Sequence, residues 1–168
     1  GYDSSGLIVL SKDNTFNRAR SVGKVKNLED NLKTRKHKII GNIGIAHTRC
    51  ATHGVPSNHN AHPHISKNSV SVVHNGIIEN YIEIKNNQLK QGYEFTSESD
   101  TEVIAHAVDF AMQSSKSLVS SVQQALKSFE GSYGLGIISS KYPDQILAAT
   151  KGSHLVIGIS KNGNYIAS

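Results

Sequence analysis

Apolar and polar positions alternate in short runs near both ends of the chain and recur at helical spacing through its middle. Residues 6–10 and 15–20 read as short strands around a Lys12-Asp13-Asn14 turn. Residues 39–48 and 69–74 are also predicted strands, the second alternating through Val70, Val72 and His74. Between these pairs, residues 27–36 fit a short polar helix. Residues 78–91 predict a longer one, with Ile78, Ile82 and Leu89 on one face and Gly92 as its stop. Ser99 and Glu102 have capping-box spacing ahead of Val103, Ile104, Ala107, Val108, Ala111 and Met112, an apolar helical face. Ser117 opens a further helix, with Leu118, Val122, Ala125, Leu126 and Phe129 inward and Gly131 at its end. Residues 133–139, 145–150, 155–160 and 165–167 then predict an antiparallel meander whose last turn is Asn162-Gly163. Strands on both sides of a central helix pair favour α+β sheets covered by helices over a doubly wound parallel sheet.

At 168 residues the chain is long enough for one domain with a real core. No apolar run approaches the roughly 18 residues of a membrane span, so no membrane role is expected. A single cysteine excludes an internal disulfide framework and fits a reducing, cytoplasmic compartment. The opening Gly1-Tyr2-Asp3 has neither Met nor a basic-then-apolar leader, and suggests a piece of something longer.

The net charge of +5 raises the question of nucleic acid. Nine of the 18 Lys and Arg residues fall within residues 11–40, against three acids, and the remainder is nearly neutral. Phe16 is the one aromatic in that stretch, whereas nucleic-acid surfaces interleave aromatics for stacking. A solvated basic face, or contact with an acidic surface, fits better than nucleic acid.

Three segments carry chemistry. Arg49, within His47-Thr48-Arg49-Cys50-Ala51-Thr52-His53-Gly54, offers a guanidinium able to hold a carboxylate bidentately; an ordinary salt bridge is the alternative. Asn75-Gly76 pairs a side-chain amide with a backbone N–H that can converge on an oxyanion, or else forms a plain turn. Asp100, within Ser97-Glu98-Ser99-Asp100-Thr101-Glu102, either caps a helix or grips an ammonium group, with Ser99 left to do the capping. Together they suit a zwitterionic amino acid and a developing oxyanion. A nucleophile is missing from the set.

Those motifs, with Gly1-Tyr2-Asp3-Ser4-Ser5-Gly6 and Asn60-Ala61-His62-Pro63-His64, resemble the glutaminase domain of the glutamine–fructose-6-phosphate aminotransferase family. The resemblance runs over nearly the whole chain. Other class II glutamine amidotransferases, such as amidophosphoribosyltransferase, share a looser Arg, Asn-Gly and Asp pattern. The resemblance implies a four-layer α-β-β-α sandwich of N-terminal nucleophile hydrolase type, truncated at the N-terminal strand. It implies that residues 1–168 are a partial amidotransferase domain without the nucleophile segment and without the sugar isomerase region. Arg49 would bind the α-carboxylate of glutamine and Asp100 its α-ammonium, while Thr52 and His53 would line the pocket. Asn75 and Gly76 would form the oxyanion hole. In the family an N-terminal cysteine attacks the glutamine amide, with its own α-amino group as base. Ammonia then passes to fructose 6-phosphate, giving glucosamine 6-phosphate and glutamate. No cofactor and no metal are implied, and the full protein is expected to be a homo-oligomer.

Two departures qualify this. The attacking cysteine is not among these residues, so the piece alone is expected to be inactive, and a missing central strand would leave an unpaired sheet edge and marginal stability. Cys50 stands where the family usually carries tryptophan, and is expected to be a small buried thiol rather than a replacement nucleophile. A nucleophile-free glutamine-binding module is the alternative. Five of nine histidines (His47, His53, His59, His62, His64) fall close together, yet lack the paired spacings of a structural zinc site. His62-Pro63-His64 reads instead as a rigid loop beside the pocket. The glycines from Gly131 to Gly136 lack the Lys-Ser/Thr pair of a phosphate cradle.

Overall fold

A computed structural model of the chain describes residues 2–50 and 54–168. The elements run β1 (Ser4–Leu10), β2 (Phe16–Val22), α1 (Val25–Thr34), β3 (Ile43–Arg49), β4 (His64–Ser66) and β5 (Val70–Ile78). They continue with α2 (Tyr81–Lys90), α3 (Thr101–Ala111), α4 (Leu118–Leu126), β6 (Gly131–Ser139), β7 (Tyr142–Lys151), β8 (Val156–Ser160) and β9 (Gly163–Ala167). The paired strands are antiparallel and form sheets ordered β2-β1-β3, β4-β5-β6-β7 and β8-β9.

Strand register settles the layering. Val70 and Val72 lie on the same face of the four-stranded sheet as Leu135 and Ile137, because Val72 pairs with Ile137 and side chains repeat every two residues. That face packs on Val103, Ile104 and Val108 of α3 and on Leu118 and Val122 of α4. The opposite face, carrying Val73 and Ile138, meets Ile8 and Ile45 of the three-stranded sheet. On that sheet Ala19 pairs with Leu7, so Ala19 and Ser21 point away from Ile8, and α1 covers β2 there. The order is helix, sheet, sheet, helices: the expected α-β-β-α sandwich. Both faces are interior over residues 70–74 of β5 and 133–139 of β6, so neighbouring side chains there are buried or half-buried on both sides, whereas Asn75 and Ile77 are exposed.

Several elements differ from their sequence reading. Ile78 belongs to β5, and the helix after it starts at Tyr81. Its inward positions are Tyr81, Ile84 and Gln88, whereas Ile82 and Leu89 are exposed. Gln88 donates through Nε2 to the Val103 carbonyl at 2.9 Å, so a buried amide anchors that face in place of leucine. Gly92, with φ of 85°, does stop the helix. The capping box at Ser99 and Glu102 does not form. Glu102 instead accepts from the backbone N–H groups of Thr96 and Ser97 and from both hydroxyls, tying down the preceding loop. Ser117 does cap α4, its box completed by Ser120. The final meander divides, because β6 and β7 join the four-stranded sheet while β8 and β9, among the described residues, pair with each other alone. Among the described residues no helix is long and apolar enough to cross a membrane.

Candidate active site between the two sheets

The strand alternation that builds the core also aims the site residues. Ile45, His47 and Arg49 share one face of β3, and Ile45 on that face touches the opposing sheet. Asn75 lies on the β5 face that carries Val73 toward the same interface. Between the sheets, at this end, is a cavity of about 750 Å³ lined by Arg49, Asn75, Gly76, Asp100, Leu135 and Ser168 among others. This is the size range of small-molecule sites.

Arg49 is buried, and its guanidinium lies in the field of Asp100, Asp3 and Glu98. Burial lowers its pKa and the three carboxylates oppose that shift. The Asp3 N–H donates to the Arg49 carbonyl at 2.8 Å, fixing the strand end that presents the side chain. Asp100 is also buried and is not left free by a neighbouring cap. Its Oδ2 accepts from the Ile78 N–H at 2.9 Å and lies 3.8 Å from His74 Nδ1. The start of α3 is thereby pinned to the end of β5.

Asn75 is exposed to the cavity, with Nδ2 donating to Ser168 Oγ at 3.3 Å. Gly76 has φ of 142°, and an added Cβ would collide with the Ser132 carbonyl and come within 2.9 Å of Tyr133 Cα. The packing of β6 therefore demands glycine here, independently of any ligand. Thr52 and His53 lie outside the described residues. Cys50 is exposed at the cavity rim, which corrects the expected buried thiol: Arg49 takes the inward position of β3, and its neighbour turns out.

The structure also gathers residues outside the predicted catalytic and binding set. His62 stacks on His47 with ring centroids 4.3 Å apart, and packs edge-on against His64 at 5.0 Å. Burial holds His47 down to about 4, aided by His74 and Arg49, and pushes His62 and His64 well below the usual imidazole range. Among the described residues, no three His, Cys, Asp or Glu side chains converge as metal ligands. Asn60 clasps Glu98 through two hydrogen bonds of 2.9 and 3.0 Å, joining the loop after β3 to the loop before Asp100. Adjacency was the available signal: His74 precedes Asn75, and Thr101 follows Asp100.

A family model described as a glutamine amidotransferase domain matches residues 47–165, a span holding Arg49, Asn75, Gly76 and Asp100. The chain belongs to the glutamine amidotransferase family. Over its whole length this amidotransferase chain is 51% identical to a glutamine–fructose-6-phosphate aminotransferase (isomerizing) of Clostridium acetobutylicum, and 48% identical to one of Pseudomonas putida. It spans 27% of the length of each. Among solved structures it resembles a glutamine phosphoribosylpyrophosphate amidotransferase of B. subtilis, with TM-score 0.78, 22% identity, and coverage of 99% of this chain and 35% of that one. An allosteric regulatory enzyme of purine biosynthesis matches with TM-score 0.79 at 23% identity, over 99% of this chain and 35% of that one. These likenesses bear out the α+β sandwich as the fold of this amidotransferase domain.

Proposed function

We propose that this chain is the glutamine-binding part of an enzyme that moves the amide nitrogen of glutamine to fructose 6-phosphate, releasing glutamate and forming glucosamine 6-phosphate. The observation that carries the reading is the convergence of Arg49, Asp100 and Asn75 on one cavity between the sheets. Arg49 holds the α-carboxylate and Asp100 the α-ammonium, so the amino-acid end is read by opposite charges. The side-chain amide of Asn75 and the N–H of Gly76 face the amide carbonyl, whose oxygen gains charge as the tetrahedral intermediate forms. Thr52 and His53 are assigned to glutamine binding by the same reading. The attacking thiol is that of an N-terminal cysteine of the longer protein, not Cys50, which has no α-amino group of its own to act as base. Residues 1–168 are then a partial amidotransferase domain that alone releases no glutamate. The remaining length of the relatives leaves room for the sugar isomerase region in which ammonia meets its acceptor. Cytoplasmic location and homo-oligomeric assembly belong to the same reading.

The full-length protein tests this. It should convert glutamine and fructose 6-phosphate to glutamate and glucosamine 6-phosphate, and be inert with phosphoribosyl pyrophosphate. Asn75→Ala should cut glutamine turnover by about 10²–10³ with little change in glutamine affinity. Arg49→Ala should chiefly raise KM. Turnover only with phosphoribosyl pyrophosphate would move the protein to the purine branch. Glutamine binding without any turnover would make it a binding module.

A further inference from the structure

Three buried groups close a ring, and a backbone N–H fixes its first proton direction. The His74 backbone N–H donates to His62 Nδ1 at 3.3 Å, and a backbone N–H can only donate. His62 Nδ1 is therefore a lone pair, which excludes the imidazolium and leaves the proton on Nε2. That Nε2–H donates to Thr101 Oγ1 at 3.2 Å. Thr101 Oγ1 lies 3.1 Å from its other partner, His74 Nδ1, and with its donor unused by His62 its hydroxyl proton can be directed there. All three residues are buried, Thr101 completely.

His74 Nδ1 also lies 3.8 Å from Asp100 Oδ2. Protonated there, His74 would form an ion pair with the carboxylate assigned to the substrate ammonium. We propose that His62 and Thr101 are positioning residues that hold His74 as the neutral Nε2–H tautomer, so that the charge of Asp100 is reserved for the ammonium group of glutamine. The inference rests on the function proposed above and adds a device that protects its specificity. Among the described residues, the groups facing His74 include Asp100 and Thr101 from the start of α3, His62 from the loop before β4, and His47 from β3, with Arg49 on the same strand as His47. Burial and the neighbouring His64, His47, His74 and Arg49 independently disfavour a charged His62. His47, stacked on His62, extends the same support to β3, which carries Arg49.

The decisive variant in the full-length protein is Thr101→Val, which keeps shape and removes the hydroxyl. His74 Nδ1 then loses the Thr101 hydroxyl and can take a proton and pair with Asp100. KM for glutamine should rise about ten-fold at pH 6, a shift of about 1.4 kcal/mol, and by much less at pH 8, with kcat little changed. Thr101→Ser should restore the wild-type profile. Tyr93→Phe removes a buried hydrogen bond to Asp109 away from the cavity, and should lower Tm without altering KM at either pH. A Thr101→Val defect that is equal at both pH values, or is matched by Tyr93→Phe, overturns the inference and leaves the glutaminase reading intact. A wild-type protein that releases no glutamate from glutamine removes both. If Thr101→Val does not fold, ¹⁵N-histidine spectra of the wild-type protein decide: His62 and His74 should both be neutral Nε2–H tautomers at pH 7. Either one found as the Nδ1–H form, or as the cation, refutes the ring.

Discussion

Two stretches of alternating apolar sequence have opposite fates in this molecule. In β5 and β6, Val70, Val72 and Ile137 are completely buried beneath α3 and α4. In β8 and β9, Ile157 is 68% exposed and Ile159 84% exposed. Both stretches form regular antiparallel pairs, so alternation is sufficient to set strand conformation. Burial energy depends on what covers the strand: the first pair has α3 and α4 above it, whereas Ile157 and Ile159 face solvent. Strand propensity and packing are thus separable here, and a mutation at similar-looking positions should have very different costs.

Leu135→Ala, in the covered strand, should have the largest effect, destabilising the 168-residue chain by about 2–5 kcal/mol in denaturant melts. Acid should come next. His47 is held down to about 4 in the fold, while in the unfolded chain it titrates near its ordinary value of 6.5. The unfolded chain therefore binds more protons between these values. Stability is full above pH 6.5 and falls by about 3 kcal/mol as pH drops toward 4. Burial of His62 and His64 acts in the same direction. A Tm that is flat from pH 6.5 to 4 would contradict the packing of the histidine stack. Ser117→Ala, which removes the cap from the helix over the covered sheet, should cost about 1 kcal/mol. Ile159→Thr, on the uncovered hairpin, should stay within about 0.5 kcal/mol. If it cost as much as Leu135→Ala, β8 and β9 would have a partner and the contrast would collapse.

The same contrast shows what pattern alone can reveal. The apolar positions of α3 and α4 were legible because their stripes recur at helical spacing and face a sheet. The helix after β5 was misaligned because Ile82 and Leu89 look like core, whereas the buried anchor is Gln88 bonded to a carbonyl on α3. The Ser99 and Glu102 spacing suggested a cap, but Glu102 had better partners in Thr96 and Ser97. Local rules lose wherever a tertiary hydrogen bond satisfies a buried group more fully.

By itself the sequence determined the strand and helix inventory, the α+β class and the motifs around Arg49, Asn75-Gly76 and Asp100, because periodicity and residue chemistry are local properties. Tertiary structure alone decided that those motifs share one cavity and that Gly76 answers to the backbone of β6. It also decided that Cys50 faces out, and that His62, Thr101 and His74 close a ring beside Asp100. Each of these depends on the register and stacking of strands far apart in the chain, and a one-residue shift in pairing would turn every such side chain to the other face.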